Sequence, residues 1–139
     1  ANLADIRTKL GDRAALRAIH FFNDNARVLD EAAALKSGNF REFLRLVNES
    51  GRSSFMYLQN IYSIKNPRSQ GLSLALSLSE KLLKGCGAWR VHGGGFAGTI
   101  QAFVPLEKLD EFSAAMENVF GKGACHKLMI RPKGAYFFE

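Results

Sequence analysis

At 139 residues and 47% apolar content the chain is one domain's worth of polypeptide with enough apolar mass for a core. Nothing in it approaches the roughly 18 consecutive apolar residues of a membrane span, and no secretory leader pattern opens it, so the reading is a cytoplasmic protein with no membrane contact. The excess of 19 Lys and Arg over 13 Asp and Glu gives +6; it suits the phosphates of a small ligand, but it is scattered without interleaved aromatics, and nucleic acid is not expected as a partner.

In chain order, Asp12 is placed to cap a long helix on which Ala15, Ile19, Phe22, Ala26, Leu29 and Ala33 recur at steps of four and three, predicting one buried stripe. Lys36-Ser37-Gly38 stops that helix, and Asn39 caps a second with Phe40, Phe43, Leu44 and Val47 on one face before Ser50-Gly51. The two make an antiparallel hairpin. A third helical stretch is expected from about Ser53 to Ile61, then a loop through Asn66-Pro67-Arg68-Ser69. From Leu72 to Leu83 the leucines alternate like a strand, while Leu72, Ala75, Ser79, Leu82 and Leu83 fit a helix; length and the closing Gly85 favour the helix. Ala88 to His92 and Thr99 to Val104 read as short strands, and Leu106, Leu109, Phe112, Ala115, Met116 and Val119 set a helix between Pro105 and Gly121. Cys125 to Ile130 and Ala135 to Phe138 read as two more strands about the turn Arg131-Pro132-Lys133-Gly134. The expected class is therefore α+β, a split βαβ sandwich with a four-stranded, mainly antiparallel sheet, helices on one face and an N-terminal helical hairpin, in one domain over 1–139.

The densest chemistry lies in Gly93-Gly94-Gly95-Phe96-Ala97-Gly98, between the first two strands. Glycine permits positive φ and close approach, so the run is either a tight packing turn or a nest of amides facing an anion. It lacks the Lys-Ser/Thr ending of a Walker A loop, and the G-x-G-x-x-G spacing on Gly93, Gly95 and Gly98 is followed by a strand pattern where a dinucleotide site needs a helix. His92 stands at the strand end, either facing a ligand or satisfied by backbone. His20, His92 and His126 are scattered, and no metal site is expected. Cys86 and Cys125 share no C-x-x-C spacing and read as free thiols. Asp24, Arg27, Asp30 and Glu31, three and four apart, read as surface ion pairs. No base, nucleophile and electrophilic stabiliser assemble, so no catalytic residue is assigned in this chain.

Arg90-Val91-His92-Gly93-Gly94-Gly95-Phe96-Ala97-Gly98-Thr99 resembles the third motif of the GHMP sugar and metabolite kinases, in the R-M-T-G-G-G-F-G-G-C form of galactokinases. Arg17 to Val28 is similar to a galactokinase helix patterned R-x-x-H-x-x-x-E-N-x-R-V, and Ala34 to Phe40 with Asn48-Glu49-Ser50 continue the likeness through A-L-x-x-G-D and E-S elements. The resemblance implies the C-terminal, ferredoxin-like lobe of a two-lobed galactokinase that phosphorylates the anomeric hydroxyl of galactose with ATP and Mg²⁺. It implies that the phosphate-binding loop, the catalytic Asp and its Arg belong to an N-terminal lobe absent from this sequence, and that this chain alone is inactive and holds neither ATP nor Mg²⁺ tightly. The same resemblance puts the backbone of Gly93, Gly94 and Gly95 near the phosphate and the sugar, flanked by Phe96, Gly98 and His92. Four positions depart from the pattern: His92 for Thr, Ala97 for Gly, Thr99 for Cys and Gly51 for His. Alternatives are a kinase of the same superfamily for another sugar, a non-catalytic sugar and nucleotide sensor, and a free-standing α+β ligand-binding or interaction domain.

Overall fold

The computed structural model describes residues 2–96, 98–130 and 133. A short helix α1 (Leu3–Leu10), capped by the Asn2 side chain on the Ala4 amide, precedes the long helix α2 (Asp12–Lys36). The α2 N-cap position belongs to Gly11 at φ +83°, not to Asp12; Asp12 is the first helical residue, and its carboxylate pairs with Arg7 at 2.6 Å. Ser37 and Gly38 end α2 as expected, and Asn39 caps α3 (Phe40–Ser53) by accepting from the Glu42 amide. Partner numbers fall along α3 as they rise along α2, with His20 on Ser53, Asp24 on Ser50 and Arg27 on Glu49, so the hairpin is antiparallel.

The stretch expected to be helical from Ser53 to Ile61 begins as a π-helical turn, Ser54–Leu58, and stops at Gln59 in the left-handed region with φ 51°. Helix α4 (Gly71–Leu83) resolves the leucine ambiguity in favour of the 3.6-residue period: Leu72, Ala75, Ser79 and Leu83 are buried while Leu74 is exposed. Strands β1 (Ala88–Val91) and β2 (Ile100–Phe103) pair antiparallel with Ala88 opposite Phe103 and Val91 opposite Ile100. A 3₁₀ turn at Leu106–Lys108 leads into α5 (Leu109–Phe120), which buries Phe112 and Met116.

The expected four-stranded sandwich is not what forms. Among the described residues there are five α-helices and a sheet of two strands. The outer edge of β1 is occupied by a helix: Asn48 of α3 accepts from the Trp89 amide at 2.9 Å and donates to the Gly87 carbonyl at 3.2 Å. Gly51 lets α3 lie that close, since a Cβ there would meet Arg90 Cβ at 2.9 Å and the Trp89 carbonyl at 3.0 Å. Cys125–Ile130 has no ladder partner among the described residues; Cys125 packs on the α4–α5 core, but Leu128, Met129 and Ile130 are exposed. Alternation alone makes no strand where no edge receives its backbone. The turn residues Arg131, Pro132 and Gly134 and the strand expected over Ala135–Phe138 lie outside the described residues.

The core has three parts. Ala34, Phe43, Leu46, Val47 and Ala88 join the hairpin to β1; Ile61, Leu72 and Val91 lie under the end of β1; and Leu83, Phe112 and Met116 join α4 to α5. Of the stripe expected on α2, Ala15 is buried and Ile19 half-buried, but the rest is not. Phe22, Ala26, Leu29 and Ala33 are exposed, and the inward positions are His20 and Ala34, with Asp24, Arg27 and Glu31 half-buried. No helix among the described residues is long and apolar enough to cross a membrane.

Candidate functional site

The β1–β2 connection runs from His92 to Thr99, and the His92 amide donates to the Thr99 carbonyl at 3.1 Å, extending the ladder by one bond. Within it Gly93, Gly95 and Gly98 have φ of +65°, +75° and +86°, and Phe96 follows at +47° with its ring exposed. The run therefore needs glycine for conformation at three of its positions.

Its two halves do different things. Gly95 is buried against Asn60, whose carbonyl oxygen would lie 2.2 Å from a Cβ on Gly95. Asn60 holds the turn at two points, accepting from the Phe96 amide at 3.0 Å and donating through Nδ2 to the Gly94 carbonyl at 3.2 Å. Asn60 is itself buried, and its Oδ1 accepts from Ser54 Oγ at 3.4 Å. Gly93 and Gly94, by contrast, are exposed and have no atom within 4 Å of where a Cβ would stand. The tight-packing reading thus describes Gly95, while at Gly93 and Gly94 the place a Cβ would take is open space. His92 is exposed beside it, and Gly98 is likewise open; Ala97 lies outside the described residues.

Asn60 had no signal in the sequence beyond a polar Gln59-Asn60 pair interrupting an apolar run. Its position depends on the π-helical turn packing against α2 and α3, and such turns recur at functional sites.

The strand leading into the turn is braced from behind. Arg90 donates to Ser50 Oγ at 2.7 Å, and the Ser50 hydroxyl donates onward to Asp24 at 2.6 Å. Asp24 is also ion-paired to Arg27, whose guanidinium is largely buried and reaches Glu49 at 3.5 Å. His20 Nδ1 lies 2.9 Å from Ser53 Oγ, and its Nε2 lies 3.8 Å from Asp24. The expectation of surface ion pairs is corrected for Asp24 and Arg27, which are inside the α2–α3–β1 junction; Asp30 remains exposed. Burial pushes the His20 pKa below its ordinary 6.5, outweighing the nearby Asp24 carboxylate, and the positive charges of Arg90 and Arg27 act in the same direction as burial. Burial also raises the carboxyl of Glu31.

The two cysteines are free, and burial raises the Cys125 thiol, which gives it no nucleophilic character. Among the described residues no group of three or more His, Cys, Asp or Glu is placed to hold a metal ion. A cleft of about 240 Å³ between α3, α4 and β1, lined in part by Arg52, Phe55, Leu76, Glu80 and Trp89, includes none of the glycine-turn residues. The buried Ser73 Oγ on its wall has no hydrogen-bond partner among the described residues.

Three of the four stretches that carry the sequence resemblance, Arg17 to Val28, Asn48 to Ser50 and Arg90 to Thr99, are thus physically joined. No protein-family model matches the chain, and no solved structure matches it. Curated proteins do. The chain is 33% identical over 104 residues to the galactokinase of Mannheimia succiniciproducens, covering 75% of this chain and 25% of that protein. It is 34% identical over 103 residues to the galactokinase of Pasteurella multocida, covering 74% and 25%. It is also 34% identical over 110 residues to the galacturonokinase of Arabidopsis thaliana, covering 78% and 24%. The chain spans about a quarter of the length of these curated relatives. Over some three quarters of its own length, it is a homologue of a segment of the galactokinases and galacturonokinase.

Proposed function

We propose that this chain is the C-terminal lobe of an ATP-dependent galactokinase, which transfers the γ-phosphoryl group to the anomeric hydroxyl of galactose. The observation that carries the reading is the division within the glycine turn, in a chain homologous to sugar kinases. Asn60 fixes Gly95, so the open backbone at Gly93 and Gly94 is presented in one conformation at the end of a braced strand. Phosphoryl transfer depends on positioning and charge stabilisation, and a rigid turn without Cβ atoms at its open positions allows a phosphate or sugar oxygen close approach to main-chain groups. A conformation fixed before substrate arrives costs nothing to organise at the moment of transfer.

ATP with Mg²⁺ supplies the transferred group and neutralises its charge. The fit of this chain to them is one-sided: the turn offers backbone and the neighbouring His92 imidazole, while a base and a metal-holding carboxylate have to come from a preceding lobe. The chain alone is therefore expected to be inactive. Steady-state phosphorylation by the complete gene product and by the 139-residue chain tests this, with turnover expected only for the former. A product from the complete gene that leaves every sugar unphosphorylated rejects the reading.

A second substrate is favoured by one relative and one residue. The galacturonokinase homologue and an imidazole beside the open glycines together support a uronic acid, whose carboxylate an N–H of the His92 ring would hydrogen-bond. A panel of galactose and galacturonic acid on the complete product separates the two, and His92→Thr is expected to shift preference toward galactose if the acid is the substrate.

A further inference from the structure

Helix α2 carries its faces in reverse. Its polar residues His20, Asp24 and Arg27 point into the protein, while Phe21, Phe22, Val28, Leu29 and Leu35 point out, each at least half exposed. These five fall at positions i, i+1, i+7, i+8 and i+14, which keeps them on one side of the helix over about 20 Å at 1.5 Å per residue. Between them Asn25, Ala26, Ala32 and Ala33 are also exposed, so the stripe is interrupted by one polar side chain only. The Phe21 and Phe22 rings lean on each other edge to face at 5.4 Å.

A single exposed phenylalanine is ordinary, whereas a contiguous stripe on the order of 500 Å² is at the upper end of what a monomer leaves uncovered. The inversion has a local cause. Helix α3 and β1 present Ser50, Ser53, Glu49 and Arg90 to α2, and only the polar side of α2 satisfies them.

We propose that this outward stripe is the surface on which the rest of the kinase polypeptide docks, an inference that rests on the functional reading above and adds where the two lobes meet. The homologous enzymes have about three quarters of their length beyond the matched segment, enough for a lobe with its own core. The alanines between the large residues let an apolar helix or sheet face of that lobe approach the α2 backbone, with the two phenylalanines as anchors at one end.

Hydroxyl-radical footprinting, read by mass spectrometry without substrate, compares the 139-residue chain with the complete gene product. Oxidation of Phe21, Phe22 and Leu29 is expected to fall several-fold in the longer polypeptide. In that polypeptide the double substitution Phe22→Asp and Leu29→Asp restores the oxidation of Phe21, while leaving the melting temperature of the 139-residue chain unchanged. Equal oxidation in both polypeptides overturns the proposal, as does a gene that encodes nothing beyond this chain. So does light scattering that shows the 139-residue chain to be a dimer dissociated by Phe22→Asp, since the stripe would then serve a second copy. An active kinase with an unprotected stripe sinks this inference alone, and a protected stripe in a protein that phosphorylates no sugar sinks the functional reading alone.

Discussion

The carbonyl oxygen of Asn60 stands 2.2 Å from the point a Cβ on Gly95 would occupy, and the same oxygen accepts from the next amide, that of Phe96. Two residues 35 positions apart are therefore fitted to each other at backbone level, where no side-chain rotation relieves a clash.

Gly95→Ala is accordingly expected to destabilise the fold by about 3 kcal/mol, from overpacking against backbone and from the left-handed φ together. Gly94→Ala, one residue earlier, meets nothing within 4 Å and should change stability by less than about 0.5 kcal/mol. Urea denaturation of the pair checks this. Equal losses at both positions would show that Asn60 does not hold the turn.

At the α2–α3–β1 junction, Asp24→Ala removes the anion shared by Arg27 and the Ser50 hydroxyl. A largely buried guanidinium is left facing a protein interior with only the more distant Glu49, and the expected cost is about 3 kcal/mol or more. Asp24→Asn keeps an acceptor for Ser50 and should recover part of that loss. Chemical denaturation of both variants decides it, and a loss under 1 kcal/mol for Asp24→Ala would place the pair among weak surface bridges.

The pH dependence follows from His20. Its folded pKa lies below the unfolded value of 6.5, chiefly through burial, with Asp24 opposing and Arg90 and Arg27 assisting. As pH falls through 6.5 the unfolded chain takes up a proton that the folded chain resists, so stability is complete above that value and declines below it. Glu31 has the opposite sign: its folded pKa is raised above 4.5, so its contribution is lost as pH rises from about that value. His20→Gln keeps a hydrogen-bonding group near Ser53 and is expected to flatten the slope just below neutrality. Thermal melts across that range, with wild type and variant falling in parallel, would remove His20 as the cause.

What could be read from sequence was what local periodicity and punctuation control. The long helix, its stop at Ser37-Gly38, the Asn39 cap, the leucine helix ended near Gly85, both strands flanking the glycines and the helix after Pro105 all follow from short-range rules. The direction in which α2 faces did not follow, because apolar steps of three and four locate a stripe without saying what meets it. Ser50, Ser53 and Arg90, far along the chain, draw the polar side inward. The third strand failed similarly. Alternation at Cys125 to Ile130 describes a segment fit for a sheet, but Asn48 had already taken the β1 edge, through a contact between residues 41 apart. Asn60 was hidden for the same reason, since its value lies wholly in a turn over thirty residues downstream.

Asn48 has one more consequence. A two-stranded ribbon exposes a row of unpaired amides and carbonyls on either side, each able to recruit a strand from a neighbouring molecule. On the β1 side the Trp89 amide and Gly87 carbonyl are bound to Asn48, and the Val91 carbonyl accepts from the Arg90 side chain at 3.3 Å. That border therefore offers no template to a recruited strand, and the groups that close it are one amide and one guanidinium side chain.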